Sequence, residues 1–122
     1  MNASGPIPSV TPREASERLG EGSGTPLIVD VRERDEFSVV RIPGAVLLPL
    51  STLQDDFERL PRDRPLILQC ASGKRSMAAA GFLQGRGYSD VSNLEGGIID
   101  WRAEGLPVSE GPVQPGEGDL PA

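Results

Sequence analysis

The sequence of 122 residues contains no histidine and only one cysteine, Cys70. Without histidine, the chain can form neither a Ser-His-Asp triad nor a Cys-His dyad. Histidine metal sites are excluded as well, and one thiolate is too few for a zinc site built on cysteines. We therefore expect no metal and no cofactor. Any chemistry at Cys70 has to proceed without a histidine base.

Long apolar runs are also missing. No stretch approaches the roughly 20 apolar residues of a membrane-spanning helix, and residues 1–6 lack the basic and apolar regions of a signal peptide. A single cysteine cannot form an internal disulfide, which fits a reducing compartment. These absences predict a cytoplasmic protein that has no membrane partner.

Positive charge is scarce and unevenly placed. The formal net charge is −6 and the isoelectric point is near 4.6, which disfavours a nucleic-acid partner because phosphate binding needs a basic face. The cations are eleven arginines and one lysine, Lys74, which lies four residues after Cys70. A local positive spot on an acidic protein suits a small anion.

Short apolar runs alternate with helix-forming segments along the chain, whose size suits one domain. The predicted strands are 27–31, 45–48, 66–69 and 91–94. The predicted helical segments are 12–19, 32–37, 52–60, about 76–84 and 98–104. This alternation predicts an α/β fold with a parallel sheet covered on both faces. Residues 1–8 are expected to be flexible, and the Pro- and Gly-rich residues 109–122 to form a disordered tail.

Cys70 occupies the position where α/β proteins usually carry out their chemistry. It ends the strand 66–69 and opens a loop that leads into a helix, and ligands of such sheets bind at the carboxyl ends of the strands. Backbone N–H groups and the helix dipole at this position favour the thiolate. A free cysteine is more commonly a buried core residue. Gly73, Lys74 and Arg75 directly after it favour the functional interpretation.

Four sequence blocks together resemble a single-domain rhodanese, a sulfurtransferase. They span about residues 9–108 in the order found in that family. The blocks are Asp30-Val31-Arg32-Glu33 with Glu36-Phe37; Ile42-Pro43-Gly44-Ala45; Cys70-Ala71-Ser72-Gly73-Lys74-Arg75-Ser76; and Leu94-Glu95-Gly96-Gly97-Ile98 with Trp101 and Gly105-Leu106-Pro107-Val108. Relatives often carry Gly-His where Val40-Arg41 stands here, so the role of Arg41 is left open.

The resemblance implies a rhodanese-like fold, in which a five-stranded parallel sheet is flanked by helices on both faces. It implies that Cys70 accepts a sulfane sulfur as a persulfide, from thiosulfate or a persulfide donor, and passes it to cyanide or a thiol. The implied active-site loop consists of Ala71, Ser72, Gly73, Lys74 and Arg75, in which the backbone amides and the two cations surround the sulfur.

Other functions remain open at this level. The persulfide can instead be carried to a partner protein in thiolation or cofactor synthesis, or the domain can be regulatory and lack turnover. Cysteine phosphatases and arsenate reductases are disfavoured, because the phosphatase pattern places five residues between Cys and Arg, whereas four separate Cys70 from Arg75.

The remaining motif residues have simpler interpretations. Asp30, Arg32 and Ser76 are expected to support neighbouring loops rather than to contact substrate. Glu95-Gly96-Gly97 predicts a tight turn with positive φ. Trp101 is expected in the core or as a lid on it. Arg41 is either a surface charge or, because its block lies near the pocket, a substrate contact.

Overall fold

Short strands alternate with helices over the residues that a computed structural model describes, 5–19 and 24–121. The strands are β1 (Ser9–Val10), β2 (Leu27–Asp30), β3 (Val40–Arg41), β4 (Val46–Leu47), β5 (Leu66–Gln69), β6 (Val91–Leu94) and β7 (Ser109–Glu110). The α-helices are α1 (Pro12–Leu19), α2 (Arg34–Val39), α3 (Leu53–Asp56), α4 (Lys74–Gln84) and α5 (Gly97–Ala103).

Five of these strands form a parallel sheet in the order β1-β6-β5-β2-β4. The central strand β5 is buried throughout and pairs with both neighbours, so that Leu66 lies opposite Leu27 on one side and Val91 on the other. Because β5 is the third of the five strands, Cys70, which follows its last residue, lies in the middle of the carboxyl edge of the sheet.

Apolar side chains cover both faces of the sheet. One cluster includes residues of α3 and α4, such as Leu53, Ala80 and Leu83. The opposite cluster includes Ala15 of α1 and Trp101 of α5, which confirms Trp101 as a core residue. The predicted five-stranded parallel sheet with helices on both faces is confirmed.

The region predicted as one helix over 52–60 is more irregular than expected. Its central turn is α3, and short 3-10 turns at Leu50–Thr52 and Phe57–Arg59 flank it. Leu53 and Leu60 are still buried, as their helical spacing indicates. None of the helices in the described residues is long and apolar enough to cross a membrane.

The end of the chain differs most from expectation. The sequence predicts disorder over 109–122, but β7 pairs antiparallel with β3, and the Leu47 amide donates to the Gly118 carbonyl across 2.8 Å. Because the tail is poor in apolar residues, its composition gives it no hydrophobic core of its own. Polar side chains and backbone groups of the domain bind it instead. At the other end, the Pro8 carbonyl accepts from the Asn93 amide. Residues 1–4 of the predicted flexible segment, and residue 122 of the tail, lie outside the described residues.

Candidate active site

The thiol of Cys70 lies where β5 meets α4. The side chain is 1% exposed, and the loop turns at Gly73, whose φ of +101° lies in the left-handed region. That conformation favours glycine, because a Cβ would crowd the backbone. The turn ends directly at α4, so Lys74 and Arg75 belong to the first helical turn.

Three donors surround the sulfur: the Gly73 amide at 3.1 Å, and the Ser76 amide and Ser76 hydroxyl, each at 3.4 Å. All three groups are buried. The loop was expected to offer amides from residues 71–75, but Ser76, expected only as a supporting residue, provides two of the contacts. The sulfur therefore lies in a cradle of fixed hydrogen-bond donors.

A buried asparagine holds this cradle in place. Asn93 of β6 accepts from the Ser76 hydroxyl at 2.5 Å through Oδ1, and its Nδ2 donates to the Gly73 carbonyl at 3.1 Å. The Ser76 hydroxyl has one proton, so it donates either to Asn93 or to the sulfur. A thiolate on Cys70 would compete with the amide oxygen for that proton, because charged acceptors form the stronger hydrogen bonds.

The cradle changes the acidity of the thiol. Burial acts to raise the pKa of Cys70, but hydrogen bonds from Ser76, with smaller contributions from loop amides, outweigh it and lower the pKa below its ordinary value. No titrating base is involved. The geometry thus favours the thiolate, which is the nucleophilic form.

Replacing Ser76 with alanine removes the hydroxyl donor and keeps the amide. We expect this variant to raise the pKa of Cys70, so that iodoacetamide alkylates it several-fold more slowly at neutral pH and equally fast at high pH. The pH dependence of the alkylation rate measures the change. Ser72→Ala is the matched control, because it removes an exposed hydroxyl from the same loop. Equal profiles for the two variants would contradict the role of the hydroxyl.

Helix α5 fixes the other side of the loop. The amides of Ile98 and Ile99 donate to the carbonyls of Cys70 and Ala71 at 2.9 and 3.1 Å. Gly97 has φ +58°, and a Cβ there would overlap both of those carbonyl oxygens. Gly96 also has positive φ, +72°, as predicted for this turn. The two glycines let α5 approach the loop closely enough to satisfy its carbonyls.

The two cations of the loop lie in different surroundings. Arg75 forms a bidentate ion pair with Glu36 of α2, at 2.8 and 2.9 Å. The Arg75 guanidinium lowers the pKa of Glu36 to about 2, and the carboxylate in turn raises the pKa of Arg75. Lys74 is exposed and forms no ion pair with any residue in the described ranges. Of the two cations, Lys74 is therefore the one available to an anion.

A buried polar cluster lies beside the loop, on the other face of the sheet. Asp30 and Arg32, 0% and 3% exposed, form an ion pair with an Nη2–Oδ2 distance of 2.8 Å. Asp30 also accepts from Gln69 at 2.8 Å, and Arg32 donates to the Val40 carbonyl at 2.7 Å. These contacts join the ends of β2 and β5 to the start of β3, as the structural interpretation of the pair predicts.

Comparison with known proteins identifies the family. The profile of the rhodanese-like domain family matches residues 11–104. The chain belongs to this family. It is 39% identical over 93 residues to a sulfurtransferase of Allochromatium vinosum, covering 76% of this chain and 86% of the relative.

Other rhodanese relatives agree with this assignment. The thiosulfate sulfurtransferase GlpE of Ectopseudomonas mendocina is 35% identical over 94 residues, covering 77% of this chain and 84% of the relative. The crystal structure of a rhodanese-related protein from Thermoplasma volcanium superimposes with a TM-score of 0.77 at 31% identity, covering 84% of this chain and 98% of that one. These similarities support the rhodanese sulfurtransferase class.

Arg41 is neither a surface charge nor placed to bind substrate in this rhodanese domain. It is 2% exposed and forms an ion pair with Glu117 of the C-terminal segment. It also donates to the carbonyls of Gly111 and Pro112 at 2.8 and 3.2 Å. Both interpretations offered by the sequence were wrong, because Glu117 and the two carbonyls lie 70 or more residues away along the chain.

Sequence reasoning also missed Asn93, and the use of Glu36 as a partner of Arg75. Asn93 carried a usable pattern, since it is a polar residue in the middle of the predicted strand 91–94 of a sheet covered on both faces, where a buried amide needs partners. Glu36 was noted only as part of a motif. Its pairing with Arg75 joins residues 39 positions apart, which no local pattern indicates.

Proposed function

We propose that this protein transfers a sulfane sulfur from thiosulfate or a persulfide donor to a thiophilic acceptor, through a persulfide on Cys70. The observation that carries the proposal is the buried sulfur with its cradle of Gly73 and Ser76 donors, to which the described residues add no titratable base. Such a site stabilises negative charge on sulfur in every step without having to move a proton.

In the first half-reaction, the Cys70 thiolate attacks the outer sulfur of thiosulfate. A sulfur–sulfur bond forms to Sγ, the sulfur–sulfur bond of thiosulfate breaks, and its electron pair leaves with sulfite. The products are the persulfide anion of Cys70 and sulfite, so total charge is conserved. The exposed ammonium of Lys74 would attract the dianionic donor.

In the second half-reaction, the acceptor attacks the outer sulfur of the persulfide. With cyanide, a carbon–sulfur bond forms and the electron pair of the sulfur–sulfur bond returns to Cys70 as thiolate, which releases thiocyanate. Each donor aimed at the charge that develops on sulfur is expected to contribute about 3 kcal/mol, by analogy with oxyanion holes. The hydroxyl of Ser76 can turn between Asn93 and the sulfur. It can therefore adjust as the negative charge moves between Sγ in the thiolate and the outer sulfur in the persulfide.

The same geometry argues against a phosphatase. A phosphoryl group carries several oxygens and needs a cationic fork in the loop. Arg75 is the arginine of this loop, and both of its terminal nitrogens are bound to Glu36. The guanidinium is thus already occupied by a carboxylate, whereas a single sulfur atom needs only the donors around Sγ.

Intact-mass measurement tests the proposal directly. We expect the wild-type protein to gain the mass of one sulfur atom on incubation with thiosulfate and to lose it on addition of cyanide. The Cys70→Ser variant, which keeps the loop but lacks the thiol, is expected to gain none. A wild-type protein that stays unmodified but hydrolyses an aryl phosphate would refute sulfur transfer.

The rate of sulfur transfer to small acceptors and to proteins distinguishes an enzyme from a carrier. An enzyme is expected to turn over repeatedly with thiosulfate and cyanide or a small thiol. A carrier for a sulfur-relay partner would load one sulfur, react slowly with small acceptors and pass the sulfur saturably to one protein.

A further inference from the structure

The C-terminal segment of residues 109–120, called the strap below, contacts the domain through an ion pair, hydrogen bonds to its backbone and an apolar side chain. Arg41 binds Glu117 through both Nε and Nη2, and also binds two strap carbonyls. The Leu47 amide donates to Gly118, so that the strap covers the edge strand β4. Leu120 packs against one of the apolar clusters. The strap begins beyond residues 11–104, which the family profile matches.

The strap covers the one buried side chain of α2. Phe37 is the only residue of this helix that is buried among the described residues, at 1% exposure, and it belongs to neither apolar cluster of the sheet. Its ring lies against Gly118, where a Cβ would come within 2.9 Å of two ring carbons. The Arg41 guanidinium lies 5.6 Å from the ring centroid, and Arg41 also donates to the Phe37 carbonyl.

The neighbour of Phe37 on α2 is Glu36, which holds Arg75 in the first turn after the Cys70 loop. The strap is therefore connected to the cradle through its contact with Phe37, the ion pair of Glu36 with Arg75, and the chain itself, since Ser76 of the cradle directly follows Arg75. The far end of α2 is also held by Arg32, which donates to the Val40 carbonyl. The strap adds the contact that fixes the apolar side of this helix.

We propose that the C-terminal strap positions the active-site loop by holding α2, with Arg41 as a positioning residue that anchors the strap. When the strap is displaced, Phe37 of α2 becomes exposed, and the ion pair between α2 and Arg75 weakens. The loop then populates arrangements in which the donors are no longer aimed at the sulfur. The kinetic consequence rests on the proposed sulfur transfer, whereas the coupling between strap and α2 does not.

Two glycines of the strap allow a matched test. Gly116 and Gly118 both have φ +84°, so alanine is equally strained at either position, but only at Gly118 would the added Cβ strike Phe37. Gly118→Ala should displace the strap from α2, and Gly116→Ala controls for backbone strain. Glu117→Gln is a milder second variant, which weakens the anchor on Arg41 and keeps its shape.

The first measurement is the titration of the Glu36 carboxyl, followed by carbon NMR and assigned with Glu36→Gln. This carboxyl faces Arg75, with the Glu33 amide and Arg32 nearby, and its pKa is about 2. We expect that pKa to persist in the wild type and in Gly116→Ala. In Gly118→Ala it should rise toward the ordinary 4.5, and Glu117→Gln should give a smaller rise. A general loss of stability in a protein that stays folded would not move this value.

The second measurement is steady-state kinetics with thiosulfate and cyanide. We expect Gly118→Ala to lower kcat about 3- to 10-fold without raising KM, because the loop is misplaced while Lys74 still attracts the donor. Adding Glu36→Gln to Gly118→Ala should cost little more, since both variants break the same connection.

Two results would overturn the proposal. One is a Glu36 pKa that stays near 2 in folded Gly118→Ala or, if that variant does not fold, in Glu117→Gln. The other is an equal kcat loss in Gly116→Ala and Gly118→Ala. If the wild type transfers no sulfur at all, the titration still decides whether the strap holds α2, so the two failures are distinguishable.

Discussion

Replacing Gly97 with alanine is expected to lower kcat/KM for sulfur transfer by about 100-fold, the loss typical of a misplacement near 1 Å at a reacting centre. The new Cβ would overlap the carbonyl oxygens of Cys70 and Ala71, and these are backbone atoms that cannot rotate away. Either α5 or the loop has to shift. The amides of Ile98 and Ile99 would then lose their acceptors in the loop.

The control for this prediction lies at the other end of α5. Gly105 has φ +75° and open space around a built Cβ, so Gly105→Ala carries the backbone strain without the collision. Steady-state kinetics and circular dichroism on both variants separate lost positioning from lost folding. Equal activity of the two folded variants would show that close approach at Gly97 is not required.

Replacing Asp30 with alanine is expected to lower the free energy of unfolding by about 3–5 kcal/mol, because it leaves the buried guanidinium of Arg32 without its counter-charge. The pair is almost completely buried, and Gln69 loses an acceptor as well. Urea denaturation monitored by circular dichroism measures the loss. The double variant Asp30→Leu with Arg32→Met should lose less than the single variant, because no charge is left unpaired.

An exposed ion pair provides the comparison. Arg13 and Glu104 are joined at 2.8 Å, but their side chains are 64% and 45% exposed. Glu104→Ala should therefore cost less than about 1 kcal/mol. Equal losses in Asp30→Ala and Glu104→Ala would show that burial does not determine the contribution of the Asp30 pair.

The position of Cys70 could be predicted because its causes are local. An apolar run, a loop with glycine and a helix-forming stretch lie next to each other in the sequence, and together they dictate a strand, a tight turn and a helix. The positive φ at Gly96 and Gly97 followed from the same kind of pattern. The sequence pattern predicted four strands of the sheet and missed β1. That strand is only two residues long and so has no apolar periodicity of its own.

The partners of the charged residues could not be predicted in this way. Arg75 was expected to present its charge to the substrate, but Glu36 of a separate helix binds it. Arg41 was assigned to the surface or to the pocket, but it binds the end of the chain. A charged side chain reaches whichever opposite charge the fold brings near, and its own neighbours in the sequence do not reveal that choice.

The sequence by itself determined the α/β architecture and the place of Cys70 at the carboxyl edge of the sheet, and it excluded a histidine base. These depend on residue type and on periodicity over a few positions. Only the tertiary structure decided that Ser76 and Asn93 complete the cradle, that Lys74 rather than Arg75 is available to an anion, and that the strap, residues 109–120, packs onto the domain. Each of these depends on groups far apart in the chain, whose distances are set by the packing of helices and strands.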